Sequence, residues 1–297
     1  MENKIVCDNT NQERLDCFMN KIHSEYSRTF FQKMIKDGKV SVNGKTVSPS
    51  YKVKSGDEIV YTLEEEQSVS LKPENIPLNI IYEDDDIIVI NKQADLVVHP
   101  SFGHETGTLL NALLYHFKGK CSPFMVHRLD KDTTGAIIFA KNEKAKVSLS
   151  KQFQKRTIHK TYVAAVTGTV IEEKGRIEAP LGRSATNRKI IEVGPLAKKM
   201  AITEFKVLSR SRDFSLLEIR IITGRTHQIR SHMKYIGHPV VGDVAYGGCD
   251  HLKDMKFSRQ MLHSYRVCFT HPITSKPMEL IAPLPKDMKQ IFENIKL

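Results

Sequence analysis

Short apolar segments of β-type composition follow one another along most of this chain, and they constrain its fold more than any other feature. Segments 80–82 and 87–90 flank an acidic turn, and 203–207 and 215–222 flank a polar turn, so each pair is expected to form adjacent strands. The regular strand–helix alternation of a parallel sheet is absent, so we predict an α+β fold around a large, mixed, mainly antiparallel sheet. The remaining predicted strands are 136–140, 160–167 and 262–269, and the predicted helices are 143–156 and 227–236.

The first part of the chain, residues 10–61, has the pattern of a separate small unit. Apolar residues at helical spacing predict helices over 13–22 and 29–37, and Gly38 ends the second helix. Asn43-Gly44 is a strong turn signal after the short strand 40–42, and a further strand is expected at 58–61. Residues 62–76 are polar and acidic, which predicts a linker, and 77–297 would form the second domain.

Composition excludes several classes of protein. The five cysteines form no Cys-x-x-Cys pair, and the twelve histidines are scattered, so neither a disulfide framework nor a metal centre is expected. Nucleotide-binding glycine motifs are absent from the sequence. Residues 141–297 hold 29 Lys and Arg against 14 Asp and Glu, whereas residues 1–140 hold 16 against 20. The basic part is typical of a protein that binds a polyanion, although charge alone leaves a solvated basic surface equally open.

Three polar segments beside predicted strands are the candidates for chemistry. HRLDKDTTG (127–135) leads into one strand, TGRTHQIR (223–230) follows another, and KTYVA (160–164) lies within a third. Loops at strand ends are common places for functional side chains. Taken singly, each segment also has a structural interpretation: a turn, solvent-exposed ion pairs, and a core tyrosine.

Residues 10–61 resemble the S4 RNA-binding domain. The resemblance rests on RLDCF (14–18), SRTFFQKMIKDGKVSVNGK (27–45) and VKSGDEI (53–59). It implies RNA contacts on the second helix and its approach, at Ser27, Arg28, Gln32, Lys33 and Lys36. The alternative is an amphipathic helix whose lysines face water.

The three polar segments, in this order, resemble the RluA family of pseudouridine synthases over about residues 78–285. VHPSFGHETGTLLNALLYHF (98–117), HPVVGDVAYGG (238–248) and LHSYRVCFTHP (262–272) extend the match. The resemblance implies a pseudouridine synthase fold with Asp130, Tyr162 and Arg230 in the active site and Arg128 entering the RNA stack. The supporting residues that it implies are His127, Thr134, Arg225, Gln228 and Leu262.

Membership of this family would imply an isomerase that needs no cofactor and no metal. Uracil leaves the ribose through N1, turns, and returns through C5, so no electron or group is supplied from outside. The substrate would be structured RNA, most closely helix 69 of 23S rRNA, as for the RluD type. The alternatives are an RluC-like enzyme acting on other 23S or tRNA uridines, and a non-catalytic ribosome-assembly factor. A cytoplasmic monomer without membrane contact is expected.

Overall fold

In a computed structural model, the chain forms two compact units, Met1–Ser70 and Leu71–Leu297. It describes residues 2–8, 12–23, 26, 28–63, 72–100, 106–187, 189–194, 197–252 and 255–293. Most of the predicted linker, 64–71, lies outside these described residues, so the domain boundaries stay a prediction.

The first unit packs two helices against a four-stranded sheet. Its elements are β1 (Glu2–Val6), α1 (Leu15–Ile22), α2 (Arg28–Lys36), β2 (Val40–Val42), β3 (Lys45–Thr46) and β4 (Glu58–Thr62). The strand order among the described residues is β1-β4-β2-β3. Both helices and the strands that follow them lie where the sequence predicts, and Asn43 and Gly44 both have positive φ, as a tight hairpin turn requires. The strand β1 was not predicted.

The second unit contains a large mixed sheet. Its first half comprises β5 (Ile80–Glu83), β6 (Ile87–Lys92), α3 (Leu109–Phe117), β7 (Phe124–Met125), β8 (Thr134–Ala140), α4 (Glu143–Lys155), β9 (His159–Thr167), β10 (Lys174–Arg183) and β11 (Ile191–Val193). Its second half comprises β12 (Lys199–Arg210), β13 (Phe214–Ile221), α5 (Gln228–Tyr235), a 3₁₀ turn (Val244–Tyr246), β14 (His251–Leu252), β15 (Met255–Lys256), β16 (Leu262–Thr270), β17 (Pro277–Ile281) and α6 (Lys286–Phe292).

The strand order explains how distant segments meet. Among the described residues the main path is β11-β10-β12-β13-β9-β16-β8-β6-β5, with β17 on β16 and β7 on β8. Only the contact of β8 with β16 is parallel there. The prediction of an α+β fold with a mainly antiparallel mixed sheet is confirmed. Because β9, β16 and β8 are neighbours, the end of β9 near Tyr162 lies beside the loop that precedes β8.

Some elements escaped sequence prediction for identifiable reasons. Helix α3 is apolar on nearly every side, so it shows no amphipathic stripe; a capping box of Thr108 and Asn111 begins it. Strand β10 contains glycine, proline and charged residues, but its outward positions face solvent, where Arg176 pairs with Glu178 and Glu204. Side-chain burial alternates along β10, although its residue types do not resemble those of a strand.

At Gly135, where β8 contacts β16 in parallel, there is no room for a side chain. Its φ is +108°, and an added Cβ would collide with the backbone carbonyl oxygen of Ser264. We expect Gly135→Ala to lower the free energy of unfolding of the second unit by about 2–4 kcal/mol, because backbone strain and overpacking add. Urea denaturation of the full chain measures this loss.

Gly119→Ala is the matched control for this substitution. Gly119 also has positive φ, at +76°, but has no atom within 4 Å of an added Cβ. It should lose only about 1–2 kcal/mol, the cost of the left-handed conformation. Equal losses for the two variants would contradict the close approach at Gly135.

Candidate active site

The predicted polar segments meet around one cavity of about 350 Å³ in the second unit. Residues 126–130 form one wall, 221–230 form another, and Lys160 and Tyr162 of β9 lie between them. The three segments therefore share one site, although between 30 and 100 residues of chain separate them.

Asp130 and Arg230 face each other across this cavity. Arg230 Nη1 lies 3.4 Å from Asp130 Oδ2, and both side chains are largely buried. Asp130 belongs to the loop between β7 and β8 (residues 127–133, the Asp130 loop), and Arg230 to the first turn of α5. A guanidinium at this distance stabilises a negative charge on the carboxylate in a partly desolvated site.

A second carboxylate, Asp243, holds Arg230 in place. Arg230 donates to Asp243 from Nε at 2.6 Å and from Nη2 at 2.8 Å, and its guanidinium lies 4.6 Å from the centre of the Tyr246 ring. Burial lowers the pKa of Arg230, but the hydrogen bonds and charge of Asp243, together with the charge of Asp130, raise it above its ordinary value. Arg230 is therefore a permanent cation with one nitrogen left for Asp130.

The segment around Asp243 (residues 240–248, the Asp243 loop) is tight enough to aim that carboxylate. The Asp243 N–H donates to the Val240 carbonyl, and Gly248 N–H donates to the Asp243 carbonyl. An added Cβ at Gly242 or Gly248 would collide with backbone carbonyl oxygens. These glycines allow the chain to fold closely behind Arg230.

His227 borders the same carboxylate. Its Nε2 lies 3.8 Å from Asp130 Oδ2, and its Nδ1 shares a 2.8 Å hydrogen bond with the hydroxyl of Tyr246. Burial lowers the pKa of His227, with the charge of Asp130 opposing this shift. A neutral imidazole therefore lies beside Asp130 at neutral pH.

Tyr162 lies on the floor of the cavity, buried in β9 between β13 and β16. Burial raises the pKa of its phenol well above the ordinary value, and a hydrogen bond with Ser264 only partly opposes the shift. The phenol is therefore neutral over the physiological range, which favours packing against a base over general-base chemistry.

Lys92 supports the Asp130 loop from beneath. Its ammonium, buried to 1% exposure, donates to the carbonyl oxygens of Gln93 and Leu96 at 2.8 Å and of Lys131 at 2.7 Å. Burial lowers the pKa of Lys92 to about 7, against the charges of Asp132 and Asp130. Because Lys131 follows Asp130 directly, this lysine fixes the backbone that carries the carboxylate.

Two predicted supporting residues anchor the ends of the Asp130 loop. His127 Nε2 accepts the N–H of Ile138 at 2.9 Å, so the start of the loop is tied to β8. Thr134 does not line the cavity; its buried hydroxyl shares a 2.8 Å hydrogen bond with Nδ1 of His263. These contacts position the loop and are not directed at a ligand.

The other predicted residues of this unit line the cavity. Arg128 is exposed at its edge, and Leu262 is buried in its wall. Gln228 Oε1 accepts from Thr223 Oγ1 at 2.7 Å and from the Arg225 backbone at 3.0 Å, which closes the turn before α5. Gln228 is therefore a structural residue of the wall, and Arg225 extends beside it.

The predicted RNA contacts of the first unit divide into two groups. Arg28 and Gln32 donate to the fully buried Asp16 at 3.1 Å and 2.6 Å, together with Arg14. The hydrogen bond from Arg14 holds the pKa of Asp16 well below its usual range. Lys33 and Lys36 are exposed on α2. Ser27 lies outside the described residues.

Asp84, Asp86 and His271 are the one group among the described residues with metal-ligand spacing. Asp84 Oδ1 accepts the N–H groups of Asp86 and Ile87, and Oδ2 accepts from Tyr82 and His271. Protein donors thus already surround this carboxylate. None of the described helices has the length and apolarity of a bilayer span.

Comparison with known proteins identifies the family. The family model for RNA pseudouridylate synthase matches residues 86–235, and the S4 domain model matches 13–59. The chain belongs to the RNA pseudouridylate synthase family. It is therefore a pseudouridine synthase, an isomerase, with an S4 domain near its N-terminus.

Relatives in this family match along nearly the whole chain. The uncharacterised RNA pseudouridine synthase YlyB of Bacillus subtilis is 42% identical over 290 residues, covering 96% of this chain and 94% of its own. Ribosomal large subunit pseudouridine synthase D of Vibrio parahaemolyticus is 41% identical over 315 residues, covering 100% and 96%. The structure of human RNA pseudouridylate synthase domain containing 1 has a TM-score of 0.59 at 30% identity, covering 75% of this chain and 87% of its own.

Sequence analysis missed the residues that hold this synthase's site from behind. Asp243 lies within HPVVGDVAYGG, where a single carboxylate between apolar residues and glycines is the signal that could have found it. Lys92, the last residue of a buried strand, carried the same kind of signal. A charge isolated in an apolar segment needs a partner, and each of these has one in the site.

The role of Asp243 in holding Arg230 can be tested with the substitution Asp243→Asn. Loss of the charge should let the guanidinium move relative to Asp130, and a shift of about 1 Å in a positioning group lowers turnover by about a hundredfold. Single-turnover pseudouridine formation, measured with melting temperature as a check on folding, reports this effect.

Glu204→Gln is the control, since it removes a partly exposed partner of Arg176 that does not line the cavity. It should retain wild-type turnover. If Asp243→Asn folded and turned over like wild type, Arg230 would not depend on Asp243.

Proposed function

We propose that this protein converts uridines of large-subunit ribosomal RNA to pseudouridine, with Asp130 as the carboxylate that acts on the ribose. The observation that carries the proposal is the pairing of Asp130 with Arg230 inside a cavity that also contains Tyr162. The three residues come from separate segments and converge on one space that a nucleotide can enter.

The reaction requires an ionised carboxylate at the sugar and a pocket that retains the detached base. Arg230 stabilises the charge of Asp130, and Asp243 keeps Arg230 in position. Asp130 either adds to C1′ or takes a proton from C2′, and in both cases the N1–C1′ bond breaks. The uracil then turns and C5 bonds to C1′; the carboxylate leaves C1′ or the proton returns to C2′, N1 takes up a proton, and C5 loses its own. Tyr162, a neutral phenol, packs against the uracil during this rotation.

A uridine within folded RNA must leave its stack to reach this cavity. Such extrusion costs a few kcal/mol. Arg128, exposed at the edge of the cavity, supplies a planar guanidinium that can stack in the space left by the base. The lysines of α2, Lys33 and Lys36, would bind phosphates of the same RNA through the S4 domain.

The choice of substrate rests on the relatives. Several named ribosomal large subunit pseudouridine synthase D are about 41% identical over almost the entire chain. Helix 69 of 23S rRNA is therefore the proposed target, in a cytoplasmic, monomeric enzyme. An RluC-like target elsewhere in 23S rRNA or in tRNA is the second candidate, and a non-catalytic assembly factor is the third.

Asp130→Asn separates catalysis from binding. We expect loss of tritium release from RNA carrying 5-tritiated uridine by at least about a thousandfold, because the acting carboxylate is gone, with RNA affinity changed by less than threefold. Asp132→Asn is the matched control, since this second carboxylate of the loop does not line the cavity. Wild-type turnover by Asp130→Asn would refute its catalytic role.

The target is tested by mapping pseudouridines in the rRNA and tRNA of a deletion strain. We expect the helix 69 pseudouridines to be lost, and to return with the wild-type gene but not with the Asp130→Asn gene. Loss at another 23S site or in tRNA would identify the second candidate. An unchanged map would leave the non-catalytic role as the better interpretation.

A further inference from the structure

Lys160 lines the cavity, and the reaction described above gives it no role. It lies on β9 two residues before Tyr162, so both side chains project from the same face of the strand, about 7 Å apart along it. Its Nζ lies 5.4 Å from the centre of the Phe153 ring and 3.8 Å from the position that a Cβ on Gly224 would occupy. Among the described residues no carboxylate pairs with it.

The charges around the cavity are unbalanced. Asp130 is the one carboxylate among the described residues that line it, and Arg230 already pairs with that group. The Lys and Arg side chains on the same lining are Arg128, Arg156, Lys160, Arg225 and Arg230. Arg230 is balanced by Asp243, so the uncompensated charge belongs to Lys160 and the three arginines nearer the edge.

Burial makes this unpaired ammonium costly. Desolvation lowers the pKa of Lys160 to about 8, and no carboxylate counteracts the shift. An anion that enters the cavity restores the lost stabilisation. A phosphate diester carries a full charge throughout binding, whereas uracil in an intact nucleoside is neutral, so the unpaired charge of Lys160 favours phosphate.

We propose that Lys160 binds a phosphate diester of the RNA backbone next to the target nucleotide and so sets how far that nucleotide enters the cavity. The inference rests on the proposed function, since it takes RNA as the ligand. Asp130 and Tyr162 then act on sugar and base, while Lys160 holds the adjoining backbone.

Salt dependence distinguishes a phosphate contact from a structural role. Each phosphate neutralised contributes about 0.7–0.9 to the slope of log affinity against log salt. With a synthetic helix 69 stem-loop, Lys160→Gln should reduce this slope by about that amount, raise KM about tenfold and leave kcat within twofold of wild type. Lys160→Arg should keep the slope. The exposed Lys276→Gln, which removes the same charge from the β16–β17 turn, should behave as wild type.

A neutral methylphosphonate placed at each phosphate flanking the target uridine tests the contact without altering the protein. At one position, wild type should lose about tenfold in affinity, and Lys160→Gln should lose nothing further there. Additive losses at every position would overturn the proposal. So would a fall in kcat with unchanged KM in Lys160→Gln, which would place the ammonium on the departing uracil.

The pH dependence of RNA affinity provides a further test. Affinity should be full below pH 8 and fall as pH rises through it in wild type, because bound phosphate raises the pKa of Lys160; Lys160→Arg should show no such fall. Of the groups facing this part of the cavity, burial keeps His127 neutral and Tyr162 protonated, and Arg156 is a further basic residue of the lining. Absence of tritium release by wild type would instead reject the proposed function itself.

Discussion

One guanidinium, that of Arg230, connects the separate parts of this site. It lies in a largely buried position, where an uncompensated charge is unfavourable, and the protein compensates it with two carboxylates from different loops. Asp243 takes two of its nitrogens at short distance, and Asp130 meets the third at 3.4 Å. This difference in distance matters. Because Asp243 holds the guanidinium firmly, Arg230 can stabilise the charge on Asp130 while leaving the oxygens of that carboxylate accessible to a substrate.

The sheet makes this arrangement possible because it brings three separate segments of the chain to one place. Strand β16 lies between β8 and β9 and contacts β8 in parallel at Gly135, where a side chain would separate the strands. Lys92, at the end of β6, donates to the Lys131 carbonyl and thereby fixes the loop that carries Asp130. The backbone around the carboxylate is thus held by hydrogen bonds and close packing, which suits chemistry that depends on orientation.

Local pattern made some of this structure predictable and left other parts hidden. Strands such as β6 and β8 are continuous apolar runs, and the motifs beside them identified Asp130, Tyr162 and Arg230, which the structure brings together. Helix α3 was missed because burial on nearly every side removes its amphipathic stripe, and strand β10 was missed because its residue types, with glycine, proline and charges, do not resemble those of a strand. Asp243 and Lys92 were missed because their importance lies in long-range partners, which spacing along one sequence does not reveal.

The basic residues around the cavity are of two kinds, those with partners in the described part of the protein and those without. Arg230 and Lys92 are buried basic residues whose hydrogen-bond partners are supplied by the protein, so they hold the site together whether or not RNA is bound. Lys160, by contrast, is desolvated without a carboxylate, and Arg128 lies exposed at the edge. A protein keeps an uncompensated cation in a cavity when its anion arrives with the ligand. On the proposed function, the uncompensated cations are therefore the ones that would meet the RNA backbone.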